Sequence, residues 1–280
     1  MVKIKKAKTT GFCFGVKRAV DMAEGALKTN ANVCSMGPII HNPLVVKELA
    51  DKGIKAISDI DEAKNATILI RSHGIRPSIR KKITECKIPI LDATCPFVEK
   101  SHRIVNDLKR NDYYIIIVGE KDHPEVVALA EAAGPKKAIV CSAKDMAKLD
   151  IKNKKVALLA QSTLTRALFE EITAAVLKKN PHELRMFDTL CKDVSKRQAE
   201  AASLCKKVDL MLVIGGKNSA NTKRLAELCR AEGVKTYQME SEHDIKEEWF
   251  NKAKSIGVMS GSSTPKKVVD NIIVRIKGVI

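Results

Sequence analysis

Short apolar runs rich in β-branched residues alternate with amphipathic stretches along the chain. Continuous apolar runs indicate strands that are buried on both faces of a parallel sheet, and apolar residues spaced three and four apart indicate helices between them. The predicted strands are Val33–Met36, Thr67–Arg71, Ile88–Leu91, Tyr113–Gly119, Lys137–Cys141, Val156–Ala160, Asp209–Gly215 and Ser255–Met259. The predicted helices include Val16–Lys28, Pro43–Asp51, Phe97–Arg110, Thr165–Lys179, Ala220–Ala231 and Pro265–Lys277. The pattern predicts an α/β protein whose ligand sites lie at the carboxyl ends of its strands.

Composition narrows the class of protein further. Charged residues make up 30% and hydrophobic residues 45% of the 280 residues, as in an ordinary globular protein. No apolar run reaches the roughly 18–20 residues of a membrane span, and the start of the chain lacks the apolar core of a signal peptide. We therefore expect a cytoplasmic protein without a membrane partner.

The charge balance indicates anionic partners. Fifty basic residues against 33 acidic ones give a net charge of +17, which suits nucleic acid, an acidic protein or a phosphorylated metabolite. A solvated basic surface is the alternative interpretation. Six Phe, three Tyr and one Trp offer few rings for stacking on bases, which disfavours nucleic acid.

The eight cysteines fall into two groups by position. In a reducing compartment they are too sparse for a disulfide scaffold. Five lie inside predicted helices and strands, where we expect small buried hydrophobic residues: Cys34, Cys86, Cys141, Cys205 and Cys229.

The other three cysteines, Cys13, Cys95 and Cys191, lie in turns that precede helices. A helix N-terminus lowers the pKa of a thiol, and the thiolate is the form that binds iron or zinc. Each third of the chain carries one such turn, which hints at three related modules. The compact spacings of common ferredoxins and zinc ribbons are absent, so structural thiols remain the alternative.

Three histidines, His41, His73 and His123, also mark turns near strand ends. Protonated histidines suit phosphate, and neutral ones suit metal binding or proton transfer; capping or surface positions are the alternative. Glu125 follows at a helix start, where it provides either a proton or a favourable first-turn charge. Of the remaining histidines, His102 is expected to be a supporting residue, and His182 and His243 surface residues.

Two small polar turns follow predicted strands in the last third of the chain. They are Gly215–Thr222 and Ser260–Pro265, and each leads into a helix. Backbone amides at a helix N-terminus, together with Ser and Asn side chains, make a cradle for phosphate. Helix capping is the alternative role for both segments.

Taken together, these segments resemble the 4-hydroxy-3-methylbut-2-enyl diphosphate reductase family, also called the LytB family. The similar motifs occur in family order over nearly the whole chain: Gly11–Val20, Ile40–Asn42, Ser72–Gly74, Asp92–Pro96, His123–Val126, Gln161–Thr163, Asp188–Cys191, Lys217–Asn221 and Gly261–Pro265. The resemblance implies three similar small α/β modules with mainly parallel sheets, in a three-lobed, pseudo-threefold assembly around a central iron–sulfur cluster. We expect these modules at residues 14–95, 96–191 and 192–280, with the N-terminal segment 1–13 joined to the third.

The resemblance also implies the residues of the site. One 4Fe–4S cluster is expected on Cys13, Cys95 and Cys191, with one iron that lacks a protein ligand. Glu125 and His123 are the expected catalytic residues, aided by a hydroxyl at Ser162 or Thr163. The expected substrate-binding residues are His41, His73, His123, Ser162, Ser219, Ala220, Asn221 and Ser263.

The implied activity is reductive dehydroxylation of (E)-4-hydroxy-3-methylbut-2-enyl diphosphate to isopentenyl and dimethylallyl diphosphate, in the methylerythritol phosphate route to isoprenoids. The implied partners are this allylic diphosphate and a ferredoxin or flavodoxin electron donor, with the chain a monomer. Ser162 stands where the family usually has threonine, and Ala220 where it often has serine; Ala220 thus lacks one side-chain contact. The alternatives are an iron–sulfur or zinc hydro-lyase of a phosphorylated metabolite, and a basic nucleic-acid-binding protein.

Overall fold

A computed structural model of the protein describes residues 2–29 and 32–280; Met1 of the predicted N-terminal segment lies outside them. The strands are β1 (Lys3–Lys6), β2 (Val33–Met36), β3 (Lys55–Ile57), β4 (Thr67–Ile70), β5 (Ile90–Asp92), β6 (Tyr114–Val118), β7 (Lys137–Val140), β8 (Lys155–Ala160), β9 (Glu183–Phe187), β10 (Leu210–Ile214), β11 (Lys235–Met239) and β12 (Ser255–Ser260). The α-helices are α1 (Phe14–Lys28), α2 (Pro43–Asp51), α3 (Pro77–Glu85), α4 (Pro96–Arg110), α5 (Pro124–Ala133), α6 (Arg166–Leu177), α7 (Lys192–Cys205), α8 (Ala220–Ala231) and α9 (Lys266–Lys277).

The twelve strands form three four-stranded sheets in which every pairing is parallel. We call them sheet B (β3-β2-β4-β5), sheet C (β7-β6-β8-β9) and sheet A (β11-β10-β12-β1). The N-terminal strand β1 pairs with β12, opposite Ser255–Val258. The prediction of three parallel α/β modules is confirmed.

The three sheets repeat one connection scheme. In each sheet the first strand of the repeat lies second in spatial order, and the chain then crosses it to place the third strand on its other side. A glycine amide closes the end of this first strand in the same way each time. Gly37 donates to the Ile57 carbonyl at 2.9 Å, Gly119 to that of Val140 at 2.9 Å, and Gly215 to that of Met239 at 2.8 Å.

Helices cover both faces of sheets A and C, which explains why the central strands of these sheets are mainly apolar. On one face of sheet C, Ile116 and Leu158 pack with α6; on the other, Ile117 and Leu159 pack with α4 and α5. Sheet A is covered by α9 on one face and by α7 and α8 on the other. These cores fix the strand ends, where the loops begin.

The strands that the apolar pattern did not predict are ones whose side chains largely face water. Strands β3, β9 and β11 lie at sheet edges, and most of their side chains are exposed or half-buried.

Two of the predictions about cysteine burial are wrong, because Cys86 and Cys141 are exposed. Cys86 is the C-terminal cap of α3, and Cys141 follows edge strand β7, so neither side chain reaches a core. Cys34, Cys205 and Cys229 are buried as expected.

The chain divides into two compact units. Unit 1 comprises residues 1–17, 40–51 and 192–280, and unit 2 comprises residues 18–39 and 52–191. Unit 1 contains sheet A, and unit 2 contains sheets B and C. Among residues 2–29 and 32–280, no helix is both long and apolar enough to cross a membrane.

Candidate active site

The three sheets carry polar side chains at equivalent turns. The fourth residue after the closing glycine is His41 in the first module, His123 in the second and Ser219 in the third. After the third strand of each repeat, a Ser-His, Ser-Thr or Ser-Ser pair follows one residue later: Ser72-His73, Ser162-Thr163 and Ser262-Ser263. Every residue of this set lies where ligands bind in parallel sheets, beyond the carboxyl ends of strands.

One main-chain hydrogen bond places a cysteine at each of these turns. The amide of Cys95 donates to the Ser72 carbonyl at 3.0 Å, and the amide of Cys191 donates to the Ser162 carbonyl at 2.9 Å. In unit 1 the amide of Cys13 donates to the carbonyl of Ser262 at 3.0 Å. The three thiols therefore occupy equivalent positions in the repeat, although the sequence around them shows no strong internal repeat.

Exposure separates these three cysteines from the other five. Cys13, Cys95 and Cys191 are half-buried, whereas the others are either buried or exposed. This intermediate exposure leaves each thiol accessible to a metal while part of the side chain is shielded from bulk water. The Cys13 sulfur accepts a hydrogen bond from the Val16 amide at 3.4 Å, as expected at a helix start.

The expected lowering of the thiol pKa is wrong for Cys95. Burial raises the pKa of this thiol, and the amides of Phe97 and Val98 at the start of α4 lower it by less. The nearby Cys191 and Glu125 raise it further through their negative charges. A bound metal cation would reverse this balance by stabilising the thiolates.

A buried arginine holds the loop that carries Cys13. The Arg197 side chain, 2% exposed, donates to the carbonyls of Thr9 at 2.8 Å, Gly11 at 3.0 Å and Ser260 at 3.1 Å. It also pairs with Asp193 at 2.8 Å. This role could not be predicted from the sequence, because three of the four partners lie 63 to 188 residues away.

In the second module, a buried carboxyl group lies beside the turn that carries Ser162. Glu125 is 1% exposed and accepts hydrogen bonds from the Ser162 amide at 2.8 Å and the Ser162 hydroxyl at 2.6 Å. Burial raises the pKa of Glu125, and the two Ser162 bonds oppose this by less. The carboxyl therefore keeps its proton to higher pH than an exposed glutamate does.

The histidines of unit 2 lie next to this carboxyl. The His123 Nδ1 accepts a hydrogen bond from the Glu125 amide at 3.3 Å, so His123 caps α5. The rings of His73 and His123 meet edge to face, with centroids 5.5 Å apart. The Ser162 hydroxyl is bonded to Glu125, and the neighbouring Thr163 hydroxyl accepts a hydrogen bond from the Gln161 amide nitrogen at 2.8 Å.

In unit 1, the polar turns of sheet A bring neutral donors together. Ser219 caps α8, and Ala220 begins that helix. Asn221 donates to the Ser262 hydroxyl at 3.3 Å, and the Ser263 hydroxyl donates to the His41 carbonyl at 3.1 Å. Among the described residues, nothing forms a hydrogen bond with the buried Oδ1 of Asn221, as is common where a ligand completes a site.

The remaining histidines fit their expected places. His182 and His243 are exposed, as predicted. His102 is half-buried, and burial lowers its pKa. The His102 Nε2 would lie 3.3 Å from a Cβ atom added to Gly74. The His102 ring therefore packs against the turn that carries His73.

Three parallel α/β modules, each with a thiol and polar side chains beyond the carboxyl ends of its strands, fit a modular enzyme whose thiols are candidate metal ligands. A family model described as LytB protein matches residues 4–277. The chain belongs to the LytB family.

Two relatives illustrate the similarity. The 4-hydroxy-3-methylbut-2-enyl diphosphate reductase of Pelobacter propionicus is 40% identical over 275 residues, which cover 98% of each chain. The enzyme of the same name from Geotalea uraniireducens is 41% identical over 276 residues, covering 99% of this chain and 97% of the relative.

Two solved structures share the fold. One is the E-1-hydroxy-2-methyl-but-2-enyl-4-diphosphate reductase from Plasmodium falciparum, with a TM-score of 0.94, 29% identity, and coverage of 98% of this chain and 87% of that chain. The other is an (E)-4-hydroxy-3-methyl-but-2-enyl diphosphate reductase, the terminal enzyme of the non-mevalonate pathway. It has a TM-score of 0.72 and 35% identity over 99% of this chain and 100% of that chain.

These similarities confirm the prediction of an oxidoreductase of isoprenoid biosynthesis. They do not support the hydro-lyase or the nucleic-acid-binding alternative. The family implies an iron–sulfur cofactor, and the three half-buried thiols at equivalent turns are a donor set that suits iron.

Proposed function

We propose that this chain reduces (E)-4-hydroxy-3-methylbut-2-enyl diphosphate to isopentenyl diphosphate and dimethylallyl diphosphate. The observation that carries the proposal is the pairing of a buried, raised-pKa carboxyl with half-buried thiols within unit 2. The reaction consumes two electrons and two protons, removes the hydroxyl oxygen as water, and leaves the diphosphate intact. It therefore needs a cofactor that delivers electrons, a proton donor and a diphosphate site.

The cofactor of this proposal is one 4Fe–4S cluster held by Cys13, Cys95 and Cys191. Its support is the shared main-chain bond at the three cysteines and their shared half-burial. Three thiolates leave one iron of such a cluster without a protein ligand. When bound, the cluster supplies electrons and an open, Lewis-acidic iron position.

Glu125 is the proposed proton donor. Its burial keeps the carboxyl protonated to higher pH than an exposed glutamate, and the Ser162 amide and hydroxyl fix both of its oxygens. A proton delivered to the departing oxygen as the carbon–oxygen bond breaks prevents the loss of free hydroxide, which is a poor leaving group. Ser162 retains the hydroxyl that the family's usual threonine has, and it is the Ser162 hydroxyl that contacts Glu125. His123 orients the start of α5, on which Glu125 stands, and Thr163 is the other proposed hydroxyl near this turn.

The diphosphate is proposed to bind to His41, His73 and His123 and to the polar turns of sheet A. In those turns Ser219, Asn221 and Ser263 are 4%, 3% and 5% exposed, so their polar groups are shielded from competing water. The helix start at Ala220 offers main-chain amides where the side chain offers none. Binding energy from the diphosphate orients the allylic end for reaction.

The proposal includes a ferredoxin or flavodoxin as the electron donor, a monomeric chain and a cytoplasmic location. The basic net charge of +17 suits an acidic donor protein.

A reductase assay on protein purified without oxygen tests the proposed function. The absorption spectrum and the iron, sulfide and zinc contents identify the metal. Turnover with a chemical reductant should then yield the two five-carbon diphosphates, and no turnover should occur without reductant. A colourless zinc protein, or one that converts the substrate without reductant, would contradict the proposal.

A further inference from the structure

The connection scheme of the three sheets predicts one ligand crevice in each. In open parallel sheets, ligands bind where neighbouring strands send their connections to opposite sides. That point lies between β2 and β4 in sheet B, between β6 and β8 in sheet C, and between β10 and β12 in sheet A. The three crevices can therefore be compared directly.

In sheets C and A the chain's own side chains fill the crevice. Beside Gly119, the Gln161 amide group would lie 2.8 Å from an added Cβ, and its oxygen accepts the Glu120 amide hydrogen at 2.9 Å. Beside Gly215, the hydroxyls of Thr222 and Thr264 would lie 2.5 and 2.8 Å from an added Cβ. Gln161, Thr222 and Thr264 are fully buried.

In sheet B the corresponding residue is an arginine, and the crevice stays open. Arg71 follows β4 as Gln161 follows β8, and its Nη1 would lie 3.1 Å from a Cβ added at Gly37. A cavity of about 330 Å³ opens here, bounded by the ends of β2, β3 and β4 and by α3 and the start of α5. This volume is at the lower end of those that hold small ligands.

Among residues 2–29 and 32–280, no side chain or carbonyl group pairs with the Arg71 guanidinium. It forms neither a hydrogen bond nor an ion pair there, and burial alone lowers its pKa. A partly desolvated cation without a counter-charge is costly, and an anion placed beside it would remove that cost. The exposed Arg76 at the rim adds a second positive charge, against one carboxylate at Asp122.

Apart from Ser58, the rest of the cavity wall is apolar. Ile57, Ile75, Ile79 and Val127 line it, together with Met36 at the end of β2. A ligand that satisfies both parts of the cavity carries one anionic head group for Arg71 and a short branched hydrocarbon for the isoleucines. None of the proposed catalytic or substrate-binding residues lines this cavity.

We propose that this cavity is a second binding site, which takes a small phosphate ester with a short branched apolar chain, and that the ligand there weakens substrate binding. Its lining includes Gly74, next to His73, and both Asp122 and Pro124, on either side of His123. A ligand that displaces these turns moves two proposed diphosphate ligands together. The binding site itself stands without the proposed function, whereas its effect on substrate affinity rests on it.

The probe for binding is 3-methylbutyl phosphate, which has no hydroxyl to reduce. The ester is titrated into the holoenzyme labelled with ¹³C-methyl methionine, in which the Met36 resonance is assigned by its loss in Met36→Leu. The Met36 resonance should shift with increasing ester and reach saturation. Arg71→Met should raise the dissociation constant read at Met36 about tenfold to hundredfold, the usual effect of losing a charge-assisted hydrogen bond. The matched control is Arg103→Met, an exposed residue of α4 that does not line the cavity, and it should change nothing.

A second variant protects the test against loss of folding in Arg71→Met. Ile79→Glu, at a half-buried position of α3, places a carboxylate in the wall of the cavity that Arg71 also lines. It should abolish the Met36 shift while the other methionine resonances stay native. Inorganic phosphate should bind at least tenfold more weakly than the ester, because it leaves the apolar wall unused. A Met36 shift unchanged by both variants, equal binding of phosphate and ester, or no shift at all would overturn the site.

Turnover tests the effect on substrate binding separately. The ester should raise the apparent KM for the allylic diphosphate more in the native enzyme than in Arg71→Met, because only the native cavity binds it. Equal increases in the two proteins would overturn this effect while leaving the binding result intact. Absence of any reductase activity would count against the proposed function alone, since the methionine titration does not depend on turnover.

Discussion

The turns after β6 and β10 follow the same course of the main chain, but the side-chain hydrogen bond that each makes to a serine runs in the opposite direction. The sixth residue after the closing glycine is Glu125 in one and Asn221 in the other, and each bonds to the serine that follows the third strand. Ser162 donates its hydroxyl hydrogen to Glu125, whereas the Ser262 hydroxyl accepts from Asn221. One pair thus holds a group that can carry a proton, and the other leaves a serine hydroxyl hydrogen available for a ligand.

In the proposed reaction, this difference divides proton transfer and diphosphate binding between two copies of one scaffold. The Glu125 pair is suited to proton transfer because burial raises the carboxyl pKa. The Asn221 pair is neutral at every physiological pH, so it can face a diphosphate without repelling it. The thiol, by contrast, is the same in both modules.

The largest expected effect concerns that shared thiol. Cys13→Ser, Cys95→Ser and Cys191→Ser should each lose iron and all turnover, because each removes one of three proposed ligands. Iron and sulfide analysis of protein prepared without oxygen measures the loss. Cys86→Ser and Cys141→Ser, at exposed positions, are the controls and should keep both. Full iron content in Cys13→Ser would remove the third module's thiol from the ligand set.

The next largest effect separates the two pairs. Glu125→Gln keeps the shape of the side chain but has no labile proton, so turnover should fall about 10²–10⁴-fold with the cluster spectrum intact. Substrate binding, measured by titration, should change little. Native turnover in a variant with an intact cluster would refute the proton-donor role, and loss of the cluster would make Glu125 structural.

The same pair predicts a pH dependence. Because burial raises the Glu125 pKa, the carboxyl stays protonated as the pH rises past the value at which an exposed glutamate ionises. Turnover limited by this proton should decline only above the raised pKa, and that alkaline limb should be missing from the residual activity of Glu125→Gln. A limb shared by both proteins would belong to another group.

A smaller effect is expected when the third module is given a carboxyl group at the position that Glu125 occupies in the second. Asn221→Asp introduces a carboxylate of nearly the same shape into the proposed diphosphate site. Repulsion and the lost amide donor should raise KM about tenfold to hundredfold, with a smaller change in kcat. Asn221→Ala is the control, because it removes the amide without adding charge and should raise KM less. Equal KM values for the Asp variant and the native enzyme would place Asn221 away from the substrate.

The smallest effect concerns how each thiol is held. Arg197 anchors the Cys13 loop through three carbonyls, and Arg197→Lys can keep only part of this set. Iron release to a chelator, followed by absorption, should become about tenfold faster, as is usual when a group behind a metal ligand is altered. Arg275→Lys on the exposed face of α9 is the control. A change in the thermal midpoint without faster iron release would show a purely structural role.

The fold was predictable where burial is complete. All six central strands, from β2 to β12, were predicted because their apolar runs are continuous. The edge strands β3, β9 and β11 escaped prediction, since a strand with one free edge and exposed side chains carries no apolar run. Helices with strong amphipathic patterns were found at their bounds, as with α2 and α8.

The turn positions of the candidate site residues were predictable from the sequence, but the contacts between these residues were not. The turn positions of His123 and Ser162 are visible in the sequence, yet the bond between Ser162 and Glu125 joins residues 37 positions apart. The anchoring role of Arg197 is invisible for the same reason, because a buried arginine reads as an ordinary helix residue until its carbonyl partners are known.

The bond from each cysteine amide to a serine carbonyl has a consequence for how such a protein can change over generations. Both atoms belong to the main chain, so replacing the serine or its neighbours with other residues leaves the bond in place. The side chains next to it are thus free to differ, and they are histidine, threonine and serine in the three modules. Mutations can therefore change the side-chain chemistry of each turn without moving the thiol.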